Sequence, residues 1–412
     1  MDPLILVRFV HFAATVTAAG TLWFAVLMAA PAADAALGRR LRKLTWAALA
    51  VAALSDGAWL VWLAADILGV PLANVWLHDG VFTVLTNTRF GLVWAARLIL
   101  IVLLAGLLPW PRTLPLQAVL AVPLIALPAL TGHAGAAPGQ AAYGAIAADM
   151  AHLIAAGCWL GGLPAFALML AAGRTGDALV VRTTRRFAKA AAVSVAALLA
   201  TGLTNSWSLL KAPADLVATY YGQALLLKAG LFGAMLVIAA VNRFHLTLAL
   251  PAPATRRALT RNTVAETVLG LAVLLLVGAL GTLPPGGHAY RYDGAIAPGA
   301  AFVHIHSTDA MADVTIAPGR VGVADATIRV MREDFTEFPA RDVRLALDPP
   351  GASGNPIERA AVHQSDGRWR AAGIDFSQDG IWTVRVIVTQ VTGSVIVLDA
   401  PVVIARRRIK IW

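Results

Sequence analysis

The chain has 412 residues, of which 58% are hydrophobic and 14% charged, and its formal net charge is +10. Soluble domains are closer to about 45–50% apolar and about 25% charged, so the composition excludes an ordinary soluble protein and predicts a lipid environment. In such a chain an excess of Lys and Arg is interpreted as a topology signal and not as a nucleic-acid-binding surface. The single cysteine, Cys158, excludes an internal disulfide framework and a thiolate metal cluster.

Apolar segments that reach spanning length occur eight times, since about 20 residues cross the hydrocarbon core. They cover residues 4–30, 44–68, 90–110, 114–131, 143–171, 187–210, 222–246 and 264–283. No basic stretch precedes the first segment and no clear cleavage site follows it, so we expect a retained helix and no cleavable signal peptide. The sequence therefore predicts an all-α polytopic membrane bundle of about eight helices.

Basic residues concentrate in the connections after the first, third, fifth and seventh segments. Loops rich in Lys and Arg stay on the cytoplasmic side of a membrane. The pattern predicts a bacterial inner-membrane protein whose N-terminus, and everything after the eighth helix, lie in the periplasm.

After Pro285 the composition changes to short alternating runs separated by turn signals such as Pro318-Gly319 and Asp366-Gly367. The runs cover residues 302–307, 312–316, 326–331, 343–347, 382–388 and 394–398. Many short strands with regular turns are typical of an antiparallel sandwich. We therefore predict a transmembrane domain over residues 1–285 and an all-β Ig-like sandwich over residues 286–412, ending in a basic tail.

Three histidines are predicted at the outer half of the bundle: His11 in the first segment, His133 at the end of the fourth and His152 in the fifth. Polar residues inside a bilayer are costly and mark functional paths by default. Neutral imidazole is the commonest metal ligand, which indicates a site for copper, as Cu(I) or Cu(II), or for another soft-to-borderline metal. Axial ligation of haem b between helices is the alternative.

Charged residues accompany these histidines within the predicted helices. They are interpreted as structural ion pairs or as groups that balance charge and orient a metal ligand. Arg8 with Asp149, and Asp56 with Arg97 or Lys228, are the pairs considered. Onward passage of a metal is poorly marked, and Cys158, Met169 and His245 are the candidate path residues.

A second candidate metal site lies in the predicted sandwich, where His304 and His306 flank Ile305. Residues i and i+2 of a strand point to the same face, so the two imidazoles can share a metal. Asp309 or His288 would complete the site.

An ordered set of motifs runs through the apolar region. It comprises Thr131-Gly132-His133-Ala134, Asp149 with His152, Trp159 with Gly161-Gly162, Thr201-Gly202 with Asn205, Tyr221-Gly222 with Lys228, and Asn242-Arg243-Phe244. This set resembles the copper-resistance protein D (CopD) family of bacterial inner-membrane proteins. The resemblance implies copper homeostasis, inward movement of copper, and a periplasmic CopC-like copper-binding partner. Some family members carry that partner domain at the N-terminus; here the β-domain is C-terminal instead.

Three functions remain open at this stage. The first is a copper permease, the second a haem b-binding redox protein with a macrocycle near the small residues around His152, and the third a copper chaperone or assembly factor for a respiratory oxidase. The sequence has no phosphate loop or aspartyl-phosphate motif, which argues against an ATP-driven pump, and no nucleophile–base constellation, so we do not expect an enzyme.

Overall fold

The computed structural model describes residues 3–27, 34–68, 72–76, 80–87, 89–131, 141–172, 176–209, 215–281, 283, 299–306, 310–332, 336–350 and 356–406. The chain divides into two compact units, Met1–Tyr290 and Arg291–Trp412. The first unit is helical and the second is an antiparallel β-domain.

The longer helices of the first unit are α1 Pro3–Leu27, α2 Ala35–Leu68, α3 Arg89–Leu107, α4 Leu114–Ala126, α5 Ala141–Trp159, α6 Gly162–Ala171, α7 Asp177–Leu209, α8 Tyr220–Val241 and α9 Pro253–Leu280. Two shorter helices cover Gly80–Asn87 and Asp215–Ala218. Short 3-10 turns flank α4, and a π-helical turn, Asn242–Leu246, follows α8. The helices α5 and α6 together form one span, Tyr143–Ala171. Within the described residues eight spans are long and apolar enough to cross a membrane, which confirms the predicted bundle.

Several helices begin well before the apolar segments predicted from sequence. The helix α2 starts at Ala35 and α7 at Asp177, so Arg39, Arg40 and Arg185 lie on helical extensions and not in loops. Arg, Lys and Ala favour helix, which explains why the chain does not unwind where its hydrophobicity ends. At α2 the Asp34 carboxylate caps the start by accepting hydrogen bonds from the backbone N–H groups of Ala36 and Leu37.

Glycines allow α1 to approach the fifth span at backbone distance. A methyl group on Gly20 would collide with the backbone of Gly157 and Gly161, and one on Gly161 would collide with the backbone of Val16. Small residues permit this close packing, which in lipid replaces the hydrophobic effect as a source of helix association. The contact fixes α1, which carries His11, against α5 and α6, which carry His152 and Met169.

Eight strands build the second unit: β1 Ala301–His306, β2 Met311–Ala317, β3 Gly322–Met331, β4 Ala340–Asp348, β5 Ile357–His363, β6 Trp369–Phe376, β7 Gly380–Gln390 and β8 Val395–Ile404. They form one antiparallel sheet in the order β1-β2-β3-β6-β5-β4-β7-β8. The outermost strands β1 and β8 lie next to each other, so the sheet nearly closes on itself. The predicted all-β domain is confirmed, with a barrel-like sheet of eight strands in place of six recognised ones.

The interior of the β-domain is filled by alternate residues of its strands, with Phe376 and Trp382 as the largest fully buried side chains. Their rings meet edge to face, with centroids 5.0 Å apart. Strands β5 and β6 were missed from sequence because their burial does not alternate regularly. In β6 a register shift opposite Ala324 and Ala326, with Gly373 at φ +69°, interrupts the period of two.

Candidate functional site

The first polar cluster of the bundle joins α1, α2 and α3 through His11, Asp56 and Arg97. These side chains are 0%, 0% and 4% exposed. A guanidinium nitrogen of Arg97 donates a hydrogen bond to Nε2 of His11, and the other terminal nitrogen lies 3.7 Å from Oδ1 of Asp56. Nε2 of His11 is 3.5 Å from the same oxygen. The structure thus pairs Asp56 with Arg97, one of the two partners considered from sequence.

The tautomer of His11 follows from these partners. Because Nε2 accepts from Arg97, the ring proton lies on Nδ1, which is 3.2 Å from the carbonyl oxygen of Ala52 and 3.1 Å from the hydroxyl of Ser55. The indole of Trp59 packs edge-on against the imidazole with centroids 5.6 Å apart. His11 is therefore a neutral imidazole whose only lone-pair nitrogen already serves Arg97.

Arg8 lies one turn before His11 on α1 but does not pair with Asp149. Its guanidinium sits over the ring of Trp59, 5.5 Å from the centroid. It also borders the end of α9, since a Cβ at Gly281 would lie 2.9 Å from Nη1 of Arg8. The carbonyl end of a helix and the face of an indole both attract a cation, which accounts for this placement.

A second polar cluster lies between α5, α7 and α8, around His152. Nδ1 of His152 is 2.9 Å from the hydroxyl of Thr201, and that hydroxyl donates its own proton to the carbonyl of Ala197. Thr201 must therefore accept from Nδ1–H, so Nε2 of His152 is the lone-pair nitrogen. Among the described residues Nε2 has no hydrogen-bond partner. This is the ring orientation that a metal ligand requires.

Charged groups border His152. The amide of Asn205 donates to Oδ1 of Asp149 at 3.4 Å. Lys228 lies close enough to interact electrostatically with both Asp149 and His152. The sequence considered Arg8 as the partner of Asp149 and Lys228 as a partner of Asp56; the structure instead brings Lys228 into electrostatic range of Asp149. Thr201 was not predicted as a site residue. The Thr201-Gly202 motif is the sequence signal that could have identified it.

Small residues around His152 pack against protein and not against a cofactor. A Cβ at Gly157 would lie 2.9 Å from the ring of Trp23, one at Gly162 would lie 2.7 Å from Phe187, and Gly161 meets the backbone of Val16. The flat surface that the haem hypothesis needs at these glycines is occupied by α1 and α7. The structure gives the haem alternative no support.

A third cluster was not predicted and joins α8 to α9. Glu266, 3% exposed, accepts a hydrogen bond from the Asn242 amide at 3.3 Å, and Asn262 donates to Asn242 at 2.9 Å. Asn242 opens the π-helical turn that ends at Leu246. The sequence signal was the Asn242-Arg243-Phe244 motif together with a lone acid in an apolar helix.

The three candidate path residues lie in different surroundings. Cys158 is half-buried on α5, Met169 is fully buried in the core around α6, and His245 is exposed in the π-helical turn. Beside Met169, Arg256 donates to the carbonyl oxygens that end α6. The structure does not gather these three residues into one group.

In the β-domain His304 of β1 faces Asp313 of β2 in register, and its Nδ1 is hydrogen-bonded to the Asp313 carboxylate. The backbone of His306 pairs with Met311, while its side chain lies outside the described part of the structure. The predicted residues His133, His288 and Asp309 also lie outside the described residues.

Within the described ranges no three side chains of His, Cys, Asp or Glu type come together as a metal-binding group. The first cluster unites Asp56, Arg97 and His11, and the second unites Asp149, Lys228 and His152. The predicted histidines of the bundle are thus divided between two clusters.

Comparison with known proteins identifies the family of this chain. Residues 1–144 match the family model described as copper resistance protein D-like, N-terminal domain, and residues 181–280 match that of copper resistance protein D. Copper resistance protein D of Pseudomonas syringae pv. tomato is 34% identical over 223 residues, which cover 48% of this chain and 70% of the relative. The chain belongs to the copper resistance protein D family. This confirms the resemblance seen in the motifs. The matched regions include the first cluster, with His11, Asp56 and Arg97, and also Thr201 and Lys228 of the second, whereas Asp149 and His152 lie between them.

Two further relatives extend the comparison. Copper transport protein CutJ of Bacillus subtilis is 28% identical over 324 residues, 73% of this chain but only 56% of the relative. Inner membrane protein YebZ of Escherichia coli is 29% identical over 287 residues, 68% of this chain and 98% of the relative. By family, the chain is thus a copper-handling membrane protein. It spans little more than half the length of CutJ.

Proposed function

We propose that this chain moves copper across the inner membrane from periplasm to cytoplasm, with His152 as the ligand inside the bundle. The observation that carries the proposal is the orientation of His152, whose Nδ1–H is held by Thr201 and whose Nε2 is the lone-pair nitrogen. The Asp149 carboxylate beside it offsets the charge of an arriving cation. Relatives named for copper transport and copper resistance support copper as the cargo.

His11 has a different part in this proposal. Its Nε2 is bonded to Arg97, so a copper ion reaches that nitrogen only when the guanidinium turns away. Asp56 lies 3.7 Å from Arg97 and accepts no hydrogen bond from the described residues, so it can receive the displaced guanidinium. Arg97 and Asp56 then act as charge-balancing groups, and His11 becomes a ligand in the second of two arrangements.

The direction of movement rests on charge distribution. The basic extensions of α2 and α7 favour the cytoplasmic side, which supports a periplasmic location for the first residues of α1 and for the β-domain. In this arrangement copper is delivered from a periplasmic donor, such as a CopC-like protein, or through His304 and His306, and it passes the predicted entry residue His133.

The test is uptake by proteoliposomes that hold a trapped Cu(I) chelator with a visible signal. We expect the parent chain to load the chelator and His152→Ala to lower the initial rate at least about tenfold, as loss of a metal ligand does. Thr204→Val is the matched control. Thr204 lies one turn after Thr201 on α7, and its exposed hydroxyl donates to the carbonyl of Ala200.

Uptake that equals that of protein-free vesicles, or that survives His152→Ala unchanged, would refute the proposal. Tight copper binding without uptake would favour a delivery factor for an oxidase instead. In cells, a cytoplasmic copper reporter decides direction: inward movement raises its signal on expression of the parent chain, and a fall in signal contradicts it.

A further inference from the structure

Two methionines of the β-domain occupy an unusual place. Met311 and Met331 are 0% and 1% exposed, yet they form a buried pair of their own and are not part of the main core. In β2 the even-numbered residues Ala312, Val314 and Ile316 point into the core, whereas Met311 is odd-numbered. Side chains alternate between faces along a strand, which puts Met311 on the outer face of the sheet.

Strand β3 shows the same alternation: Ile328 and Val330 point into the core, and Met331 lies on the opposite, outer face. Register pairs Met311 directly with Met331. Directly opposed residues of antiparallel strands have Cβ atoms about 4.5–5.5 Å apart, so the two thioethers are neighbours.

The strand on the other side of Met311 is β1, which carries the His304-Ile305-His306 sequence. Met311 pairs with the backbone of His306, and two residues further along the same face Asp313 pairs with His304. Nδ1–H of His304 is held by the Asp313 carboxylate, which leaves Nε2 as the lone-pair nitrogen of that ring. A histidine fixed in this way by a carboxylate is typical of metal sites.

We propose that Met311 and Met331, with the imidazole of His304 on β1, form a Cu(I) site on the outer face of β1–β2–β3. Thioether sulfur is a soft ligand that selects Cu(I), and imidazole completes a set of two sulfurs and one nitrogen. Asp313 positions His304 and is not itself a ligand. The inference depends on the proposed function only for the identity of the metal, and it stands whether or not the bundle transports copper.

The experiment is a Cu(I) titration of the full chain in mild detergent against a competing chelator, combined with X-ray absorption at the copper edge. The parent is expected to show copper–sulfur scattering, and Met311→Leu/Met331→Leu is expected to lose it together with one high-affinity equivalent of Cu(I). Met235→Leu is the matched control, because Met235 is equally buried, at 2% exposed, but lies in the bundle core.

His304→Ala removes the proposed nitrogen ligand and should weaken Cu(I) binding about 10–100-fold. Leu nearly conserves the volume of Met, so the double variant should fold. Selenomethionine-labelled protein gives a measurement that needs no substitution at the site, because the parent should then show copper–selenium scattering. Unchanged Cu(I) stoichiometry in the double variant, or absence of copper–selenium scattering in labelled parent, would overturn the proposal.

Loss of this site and failure of transport are distinguishable. The double methionine variant should lose one bound Cu(I) but retain His152, so vesicle uptake at saturating copper should continue. The His152→Ala variant should lose uptake and retain the copper–sulfur signal. A chain that transports copper but binds none at Met311 and Met331 refutes only the site in the β-domain.

Discussion

The guanidinium of Arg97 donates a hydrogen bond to Nε2 of His11, although the Asp56 carboxylate lies only 3.7 Å away. The proposed function gives this buried cation a second arrangement, in which the guanidinium bonds to the carboxylate in place of the imidazole. The imidazole is blocked in the first arrangement and open in the second. The charge is conserved in both, so the change between them adds no net charge to the bilayer interior.

Asp56→Asn should destabilise the bundle, because it leaves Arg97 buried without a counter-charge. We expect a loss of about 3–5 kcal/mol in unfolding free energy, measured by thermal or denaturant unfolding in detergent. Replacing both residues, as Asp56→Asn/Arg97→Leu, should recover part of that loss. Asp177→Asn at the exposed start of α7 is the control, expected within about 0.5–1 kcal/mol of the parent. Equal stability of the single variant and the parent would show that the pair is not formed.

Gly20→Ala should disrupt the bundle because its methyl group would meet the backbone of Gly157 and Gly161. The expected result is a lower melting temperature and poor recovery of folded protein from the membrane. Gly106→Ala is the matched control on α3, where a Cβ meets nothing within 4 Å. That control should be neutral or stabilised by about 0.5–1 kcal/mol, since Ala favours helix. A tolerated Gly20→Ala would contradict the backbone contact.

Thr201→Val should weaken copper handling by His152 without removing the imidazole. The valine methyl cannot accept from Nδ1–H, so the ring loses its fixed orientation and tautomer. We expect a decrease of about tenfold in vesicle uptake, measured beside Thr204→Val. Thr201→Ser keeps the hydroxyl and should restore most of the rate. A valine variant as active as the parent would exclude this hydrogen bond from function.

Asp325 should make the β3–β6 contact sensitive to acid. The hydrogen bond from Arg370, 2.6 Å long, lowers the pKa of the Asp325 carboxyl below its ordinary value, and the backbone N–H of Gly373 adds to the effect. A lowered pKa in the folded state contributes stability above the ordinary value of about 3.9, and that stability is lost as pH falls through the folded pKa.

Asp325→Asn should therefore speed hydrogen–deuterium exchange in β3 and β6 at neutral pH, and the difference should vanish in acid. Asp375→Asn is the control, because Asp375 is an exposed carboxylate on strand β6. If parent and Asp325→Asn exchange alike at neutral pH, the ionised contact does not stabilise these strands.

Hydrophobic patterning predicted the spans well because lipid imposes a length and an apolar composition on each of them. It misplaced their ends, since the arginines of α2 and α7 continue the helix beyond the apolar part. Partner choice could not be predicted. The sequence suggested Arg8 for Asp149 and left Lys228 as an option for Asp56, but helix packing puts Lys228 in electrostatic range of Asp149.

In the β-domain the His304–His306 spacing was visible because it is local along one strand. The pairing of Met311 with Met331 was not visible in the sequence, because it depends on the register between two strands. Strand β6 escaped detection for a related reason, since its bulge at Gly373 lies opposite Asp325 of β3 and depends on the pairing of two strands distant in sequence.

Backbone-to-backbone contact between α1 and the fifth span leaves no side chains that can rotate to let these helices slide. We therefore expect α1, α5 and α6 to move as one body during any transport cycle. Spans six and seven are the least buried of the eight in the described structure, and spin-label distances between α1 and α8 test whether they move against that body. The bond from His152 to Thr201 joins the fifth span to the sixth, so such a motion would pull directly on the imidazole proposed to bind copper.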